Sequence, residues 1–362
     1  MVGKTVLCAL AFSAAMAFFA AAPAAADDSA ASIAAGGLVS RRETRIVMAK
    51  EALHISPGKV VVDYDFRNDT DQDVTTEVAF PIPPYEYYPE GPVASSASFS
   101  DFKLSVDGKP RTFQTEAKAT LKGKDVTAIL TADGIDIASF GHLREPDPSS
   151  TQTLTPDVLR LPKAEQQRLA QLGLYDADDG WGLWDAHVQY HWTQTFPAYS
   201  TVHIRHEYTP VEGFELMPAD TFKNALAAKG GQGQLRPGQA NDVKLLNGFC
   251  SDPAFLRGAV TRLDALDEHT GRFAFPQWVD FILTSANTWR QPIEDFTLIV
   301  ERGKPQAGMG LRFVNFCSPQ NAPVTKLDAN TFQVHLTNFV PQSELRIGFF
   351  DFAQAAPAGQ AH

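Results

Sequence analysis

Apolar and polar residues alternate along most of the chain, which is the pattern of half-buried β-strands. Residues 60–67 show it most clearly, because one face of the predicted strand is apolar and the other is charged. The apolar positions are Val60, Val62, Tyr64 and Phe66, and the charged ones are Asp63, Asp65 and Arg67. The alternation returns at 74–80, 187–196 and 201–208, and in several stretches between 277 and 352. The pattern predicts a mainly β protein built from many short strands.

Helical periodicity interrupts this pattern. Residues 116–130 and 162–174 have helix-like sequences, with Pro162 near a start and Gly173 as a stop. A second mixed segment begins at residue 214. We therefore predict two β-sandwich-like domains with helical insertions.

The domain boundaries follow from these changes of period. A β-sandwich domain is predicted over 46–213, with a helical excursion at 115–175, and a second β-rich domain over 214–354. An Ala-, Gly- and Ser-rich segment at 27–45 is predicted to be flexible, and the tail at 355–362 to be disordered.

The first residues have the features of a secretory signal peptide. Lys4 precedes an apolar, alanine-rich run that ends at Pro23, and small residues follow at 24–26. We predict a signal peptide over 1–26 with cleavage after Ala26. The alternative, an anchoring transmembrane helix, is disfavoured by this composition, and no later segment is long and apolar enough to span a bilayer. The mature protein is expected in the periplasm of a Gram-negative-type bacterium, or secreted, without a membrane span.

Two cysteines, Cys250 and Cys317, remain once the signal peptide is removed. An even pair in an oxidising compartment predicts one disulfide. The alternative is a pair of free buried thiols.

Composition and charge narrow the class of partner. The formal net charge of −11 argues against nucleic acid and against anionic membrane surfaces. No Walker loop, dinucleotide-binding fingerprint or H-E-x-x-H motif occurs, so no cofactor is predicted.

Histidines are concentrated in residues 187–208, which raises the question of a metal site. The alternation predicts two strands paired as a hairpin, and it sends His206 to the apolar face. In that register His191 lies opposite His203 or Arg205, so His191 and His203 are the candidate ligands. Two imidazoles without a third ligand make a weak metal site, and a polar sheet face is the default interpretation.

Aromatic residues beside prolines and aspartates form a second candidate site. They are Tyr85, Tyr87, Tyr88, Trp181 and Trp184. Such rings could present a ligand surface, because they offer a large contact area at low entropic cost. The alternatives are a buried strap over the sandwich for the tyrosines and a loop anchored by its tryptophans.

Several stretches together resemble a known family. They are DDSAASIAAGGLVSRRETRIVMAKEALHIS, VVVDYDFRNDTDQDVTTEVAFPIP, VQYHWTQTFPAYSTVHIRHEYTP, and ILTSANTWRQPIEDFTLIVERG followed by VNFCSP. In this order they resemble the bacterial secreted family labelled domain of unknown function 4424, over nearly the whole mature chain. The resemblance implies a secreted, β-rich protein with two cysteines near Cys250 and Cys317. It brings no catalytic residues.

A second resemblance covers the first half only. A strand, an Asn-containing turn, a strand ending in Phe-Pro-x-Pro and a later strand pair closing in Tyr-Thr-Pro are similar to the β-sandwich domain of inter-α-inhibitor-type proteins. That resemblance implies a sandwich and an interaction role.

The leading hypothesis is a non-catalytic periplasmic binding or envelope-assembly protein. Its partner would be an unknown periplasmic protein or a small-molecule ligand. The alternative is a carboxylate-dependent hydrolase acting on envelope glycans or esters, since paired carboxylates need no local motif. Two carboxylates converging in a deep cleft would favour the hydrolase.

Overall fold

The computed structural model describes residues 29–34, 37–86, 101–137, 157–178, 182–230, 239–266, 272–306 and 309–354. Within these ranges the alternating segments form strands. The strands are β1 (Ser29–Ala34), β2 (Gly37–Ser40), β3 (Ile46–Ser56), β4 (Lys59–Asn68), β5 (Val74–Pro81), β6 (Tyr85–Glu86), β7 (Lys103–Val106), β8 (Lys109–Pro110), β9 (Gln114–Leu121), β10 (Lys124–Asp125), β11 (Asp185–Phe196), β12 (Ser200–Tyr208), β13 (Glu212–Phe214), β14 (Met217–Pro218), β15 (Arg272–Phe281), β16 (Ile293–Glu301), β17 (Phe313–Phe316), β18 (Thr325–Lys326), β19 (Thr331–Phe339) and β20 (Leu345–Gln354).

Helices are inserted between these strands. They are α1 (Thr127–Ala132), α2 (Lys163–Gln171), α3 (Ala219–Lys229), α4 (Gln239–Gly248) and α5 (Pro253–Asp264), with 3-10 helices at Asp157–Arg160, Thr284–Thr288 and Pro319–Asn321. The start of α5 shows the local cause: Pro253 occupies the first turn, and the Asp252 carboxylate accepts a hydrogen bond from the Phe255 amide at 2.7 Å. The predicted fold class, mainly β with helical insertions, is confirmed.

The strands assemble into three sheets. The first has the order β10-β9-β11-β5-β1-β2, with β6 beside β11. The second has the order β18-β19-β16-β3-β4-β12-β7-β8, in which β3 runs parallel to β16. The third has the order β13-β15-β20-β17, with β14 beside β15.

The first and second sheets pack face to face through their apolar sides. Ring contacts cross the interface: Phe66 lies 5.7 Å from Phe196, and Phe102 stacks on Tyr190 at 4.1 Å. His206 belongs to this core, as its predicted place on the apolar face required, and stacks on Phe80 at 4.7 Å. Strand alternation thus supplies the two apolar faces that meet in the sandwich.

The third sheet closes one end of the sandwich. One of its faces contributes Val279, Phe281 and Ile347 to the shared core, and Phe281 lies 6.2 Å from Phe80. Its other face is covered by α3, α4 and α5, which form a separate apolar cluster around Phe249. The sheet therefore has a core on each side.

The second sheet draws strands from both predicted domains. Strands β16, β18 and β19 follow residue 213, yet they share the sheet with β3, β4 and β12. The predicted boundary between 213 and 214 remains a prediction, and hydrogen bonding of the second sheet continues across it.

The helical excursion predicted at 115–175 is only partly helical. Gln114–Leu121 is the strand β9, paired antiparallel with β11, so the prediction of helix there is wrong. Its Glu, Ala and Lys residues favour helix locally, but pairing with β11 and burial of Ala119 override that preference. Helices α1 and α2 are present as predicted, and residues 138–156 lie outside the described ranges.

The segment predicted to be flexible at 27–45 contains strands. Strand β1 pairs with β5, and β2 pairs with β1, so the first sheet extends into this segment. Its small residues are compatible with a ladder that backbone hydrogen bonds hold together. The predicted signal peptide at 1–26 and the tail at 355–362 lie outside the described residues.

The pairing predicted for residues 187–208 is wrong. Strand β11 lies in the first sheet and β12 in the second, so the residues between them form an arch that crosses the sandwich. The arch is held to the loop between β4 and β5, because the Ala198 amide donates to the Asp73 carboxylate at 2.9 Å and the Tyr199 amide donates to the Thr70 carbonyl at 3.1 Å. A hairpin and an arch place the same side chains in the core, so alternation alone does not distinguish them.

The predicted disulfide is present. Cys250 and Cys317 are bonded, with a sequence separation of 67 residues and a Cα–Cα distance of 4.9 Å. The bond joins the end of α4 to the end of β17. The alternative of two free thiols is thereby excluded.

No helix among the described residues is long and apolar enough to cross a bilayer.

Candidate functional site

A cavity of about 240 Å³ opens beside the disulfide, where three loops meet. It is lined by Leu283, residues 317–321, Phe339 and residues 342–345, and we call it the loop pocket. The loops follow β15, follow β17 and connect β19 to β20. The pocket thus lies where the second and third sheets come together.

The floor of the loop pocket is apolar. Leu283, Phe339 and Leu345 are each buried to 2% exposure or less. Phe339 packs on Phe296 of β16, with ring centroids 4.6 Å apart, so the second sheet supports the floor. The floor is therefore an extension of the shared core that faces the cavity.

Glu344 braces one wall of the pocket. One carboxylate oxygen accepts hydrogen bonds from the amides of Leu283 at 2.7 Å and Thr284 at 3.2 Å, and the other accepts one from the Thr284 hydroxyl at 2.5 Å. The amides belong to the entry of the 3-10 helix at Thr284–Thr288, where unpaired N–H groups need acceptors. The carboxylate is thereby engaged in holding two loops together.

The opposite wall is held by the disulfide and by a tight turn. Gln320 and Asn321 have φ angles of 51° and 55°, a left-handed conformation that costs free energy for residues other than glycine. The turn is fixed by the Ser318 hydroxyl, which donates to the Ala322 carbonyl at 2.7 Å, and by the side-chain amide of Gln320, which donates to the Val340 carbonyl at 3.3 Å. The pocket is therefore preformed on both sides.

Three polar side chains at the rim are free to bind a solute. Asn321, Gln342 and Ser343 are exposed, and their side chains make no hydrogen bond to other residues in the described part of the chain. Each carries both donor and acceptor capacity. An apolar floor with a few polar groups around it is the usual composition of a small-molecule site.

The aromatic residues predicted to form a ligand surface are placed differently. Tyr85 is 6% exposed and Trp184 is 1% exposed, so both belong to the core, as the strap and anchor alternatives required. Burial raises the pKa of Tyr85 well above its ordinary value, with a further contribution from the charge of Asp136. Tyr87, Tyr88 and Trp181 lie outside the described residues.

The histidines predicted as weak metal ligands do not converge. His191 lies on the outer face of the first sheet with Glu77 at 2.7 Å, while His203 lies on the outer face of the second, with Asp65 at 3.0 Å and Asp63 at 3.1 Å. The arch between β11 and β12 separates them by the thickness of the sandwich. Across the described ranges no three His, Cys, Asp or Glu side chains are grouped as a metal site.

The sequence alone does not predict the loop pocket. Its residues come from three segments that are far apart in the chain, and none carries a local motif. Two weak sequence features mark the pocket loops. Polar turn residues follow Cys317 directly, and a Pro-Gln-Ser turn, residues 341–343, precedes the last strand.

A comparison with protein-family models identifies the chain. The model described as Domain of unknown function (DUF4424) matches residues 26–347. The chain belongs to this family. The DUF4424 match begins at the predicted cleavage site and includes the disulfide and the whole loop pocket. The fainter likeness to inter-α-inhibitor-type domains stays a prediction.

No curated protein matches the chain. Among solved structures, a 2.33 Å crystal structure from Legionella pneumophila subsp. pneumophila str. Philadelphia 1, described provisionally as a nutrient binding protein, is 14% identical with a TM-score of 0.37. That match covers 90% of this chain and 70% of the other.

Proposed function

We propose that this DUF4424 protein is an exported, non-catalytic binding protein that holds a small molecule in the loop pocket. One observation carries the proposal: a preformed cavity presents free amide and hydroxyl groups above an apolar floor. A site braced before the ligand arrives loses less conformational entropy on binding.

The chemistry of Glu344 favours binding over hydrolysis. A glycoside hydrolase needs two carboxylates, one to act as acid and one as base or nucleophile. Glu344 is the acidic residue among those that line the pocket, and its oxygens accept three hydrogen bonds from the neighbouring loop. Its role in the pocket wall is structural.

Export is supported by the signal-peptide features and by the disulfide, which forms in oxidising compartments. Expression in a Gram-negative host, followed by fractionation and N-terminal sequencing, tests this part. We expect periplasmic protein that begins at Asp27. Protein retained in the cytoplasm with an intact N-terminus would contradict it.

Native mass spectrometry tests the binding role. Mature protein is incubated with an envelope extract, exchanged into volatile buffer and examined for retained small molecules. We expect a retained mass that Ser343→Trp abolishes, because the indole fills the mouth of the pocket. Thr201→Trp, on the outer face of β12, is the control and should retain it.

Two results would overturn the proposal. A retained molecule that Ser343→Trp leaves in place would show that binding occurs elsewhere. A retained molecule that the protein converts to hydrolysed products, with loss of that activity in Glu344→Gln, would establish the hydrolase alternative.

A further inference from the structure

The loop pocket also indicates the class of its ligand. We propose that this ligand is an uncharged sugar of one or two rings, an inference that rests on the proposed binding function. Four properties of the pocket support this ligand class: its charge, its hydrogen-bonding groups, its apolar floor and its volume.

The charge of the loop pocket disfavours ionic ligands. Among the described residues that line the pocket, Glu344 is the one with a charged side chain. Its carboxylate already accepts hydrogen bonds from Leu283 and Thr284. An anionic ligand would face that carboxylate without a cation to compensate it. A cationic ligand would draw Glu344 away from the donors that hold the wall together. A neutral ligand avoids both costs.

The free polar groups match hydroxyl groups. The amides of Asn321 and Gln342 each offer two N–H donors and one carbonyl acceptor, and the Ser343 hydroxyl can donate and accept. A sugar hydroxyl also donates and accepts at one atom, so an array of hydroxyls can be satisfied by amides without any charged partner. A carboxylate or phosphate, which only accepts when ionised, would leave the carbonyl oxygens of the amides unpaired.

The apolar floor matches the other side of a sugar ring. Leu283, Phe339 and Leu345 line the cavity with aliphatic and aromatic carbon, although each exposes 2% or less of its surface. A pyranose has a face of C–H groups that packs on such carbon while its hydroxyls point toward the rim. The floor therefore suits the C–H face of the sugar ring, and the rim suits its hydroxyl groups.

The volume limits the ligand to a small sugar. At about 240 Å³ the cavity lies just below the roughly 300–1,000 Å³ typical of pockets that bind drug-sized molecules. The tight turn at Gln320 and Asn321 and the disulfide at Cys317 restrict expansion of that wall. A long glycan could enter only by its end.

Ligand-observed NMR and calorimetry on the mature, oxidised protein test the inference. The probes are glucose, galactose, mannose, N-acetylglucosamine and maltose, compared with glucuronate and glucosamine as charged analogues. We expect saturation transfer to at least one neutral sugar, with the charged analogues about tenfold weaker or more. In the unmodified protein, the side-chain amide signals of Asn321 and Gln342 should shift on titration.

Variants locate the site. Asn321→Ala and Gln342→Ala should each weaken the best neutral sugar about threefold to tenfold, the effect of one lost hydrogen bond. Gln333→Ala, at the start of β19 and outside the pocket, is the matched control and should bind as the parent does. Thermal melting of each variant separates lost binding from lost folding.

The two experiments distinguish failure of the sugar assignment from failure of the binding function. Charged analogues that bind as tightly as neutral sugars, or a panel in which no neutral sugar binds, would overturn the sugar assignment. If native mass spectrometry still finds a molecule that Ser343→Trp displaces, the binding function survives and only the ligand class is wrong. If no pocket-dependent molecule appears in either experiment, both proposals fail.

Discussion

At the scale of single residues, Glu212 is a half-buried carboxyl group beside the shared core. Strand pairing places it opposite Val279, whose side chain lies in the shared core, so the carboxyl group points to the same face. Burial raises the pKa of Glu212 to about 7, while the charge of Arg312 acts in the opposite direction. The sequence around Glu212 carries no sign of this, because the burial comes from β15 and its neighbours.

Stability should therefore depend on pH through Glu212. The folded-state pKa lies above the ordinary glutamate value of 4.5, so the folded protein holds the proton more tightly than the unfolded chain does. The stabilisation is complete below about pH 4.5 and is lost as pH rises through about 7. We expect Glu212→Gln to flatten the fall in unfolding free energy between pH 5 and pH 8, by no more than about 3 kcal/mol.

Urea denaturation at several pH values measures this difference. Glu215→Gln, near the same strand end, is the control and should keep the pH dependence of the parent protein. A Glu212→Gln protein whose unfolding free energy still falls with pH as the parent's does would contradict the assignment.

A buried ion pair gives a second prediction at this scale. Arg312 and Asp351 are 4% and 0% exposed, and the guanidinium donates to both carboxylate oxygens, at 2.9 and 2.5 Å. Asp351→Asn leaves Arg312 buried without its counter-charge and should lower the unfolding free energy by about 3–5 kcal/mol. Denaturant melts of the parent and of Asp351→Asn measure this loss of unfolding free energy.

The control pair joins β15 to β20 in the third sheet. Arg346 and Asp280 make a similar bidentate contact but are 40% and 32% exposed. Asp280→Asn should therefore cost no more than about 1 kcal/mol. Equal losses in the two variants would show that burial does not set the difference.

At the scale of elements, alternation predicted strands and their faces but not their partners. Val188, Tyr190, Trp192 and Phe196 are all buried, as the period of two required. The arch was missed because β11 and β12 contribute to one core from opposite sides. Strand β9 was missed because its composition favours helix, and its pairing partner is distant in the sequence. The loop pocket was missed for the same reason, because three segments that are distant in the sequence form it.

Close backbone packing tests one strand pair. An added Cβ at Gly213 of β13 would lie 1.9 Å from the Trp278 ring of β15, whereas at Gly58 nothing lies within 4 Å. Gly213→Ala should displace the indole and lower the unfolding free energy by about 1–3 kcal/mol. Gly58→Ala should change it by less than about 0.5 kcal/mol.

Thermal and urea melts compare these two variants. The emission of Trp278 should also change in Gly213→Ala and not in Gly58→Ala. A Gly213→Ala protein as stable as the parent would show that β13 shifts away from β15 at little cost.

At the scale of the whole molecule, the disulfide links the helical layer to the loop pocket. The entropy model assigns a loop of 67 residues roughly 4 kcal/mol of stabilisation. Cys250→Ser with Cys317→Ser should therefore lower the unfolding free energy by about 2–5 kcal/mol. It should also weaken ligand retention, since the pocket wall at 317–321 loses its anchor.

Melting with and without dithiothreitol measures the first effect, and native mass spectrometry measures the second. The double-serine variant should be insensitive to the reductant. Full ligand retention by a destabilised double variant would show that the tight turn alone shapes the wall.

The parallel contact between β3 and β16 has a consequence for biogenesis. Strand β3 emerges early and finds β4 at once, but its other edge waits for a strand near the far end of the chain. Until β16 arrives, that open edge can pair with strands of other chains, so an incompletely synthesised chain is prone to aggregation. Truncation before Ile293 should accordingly yield insoluble material, and the two halves of the gene should complement each other only when produced together.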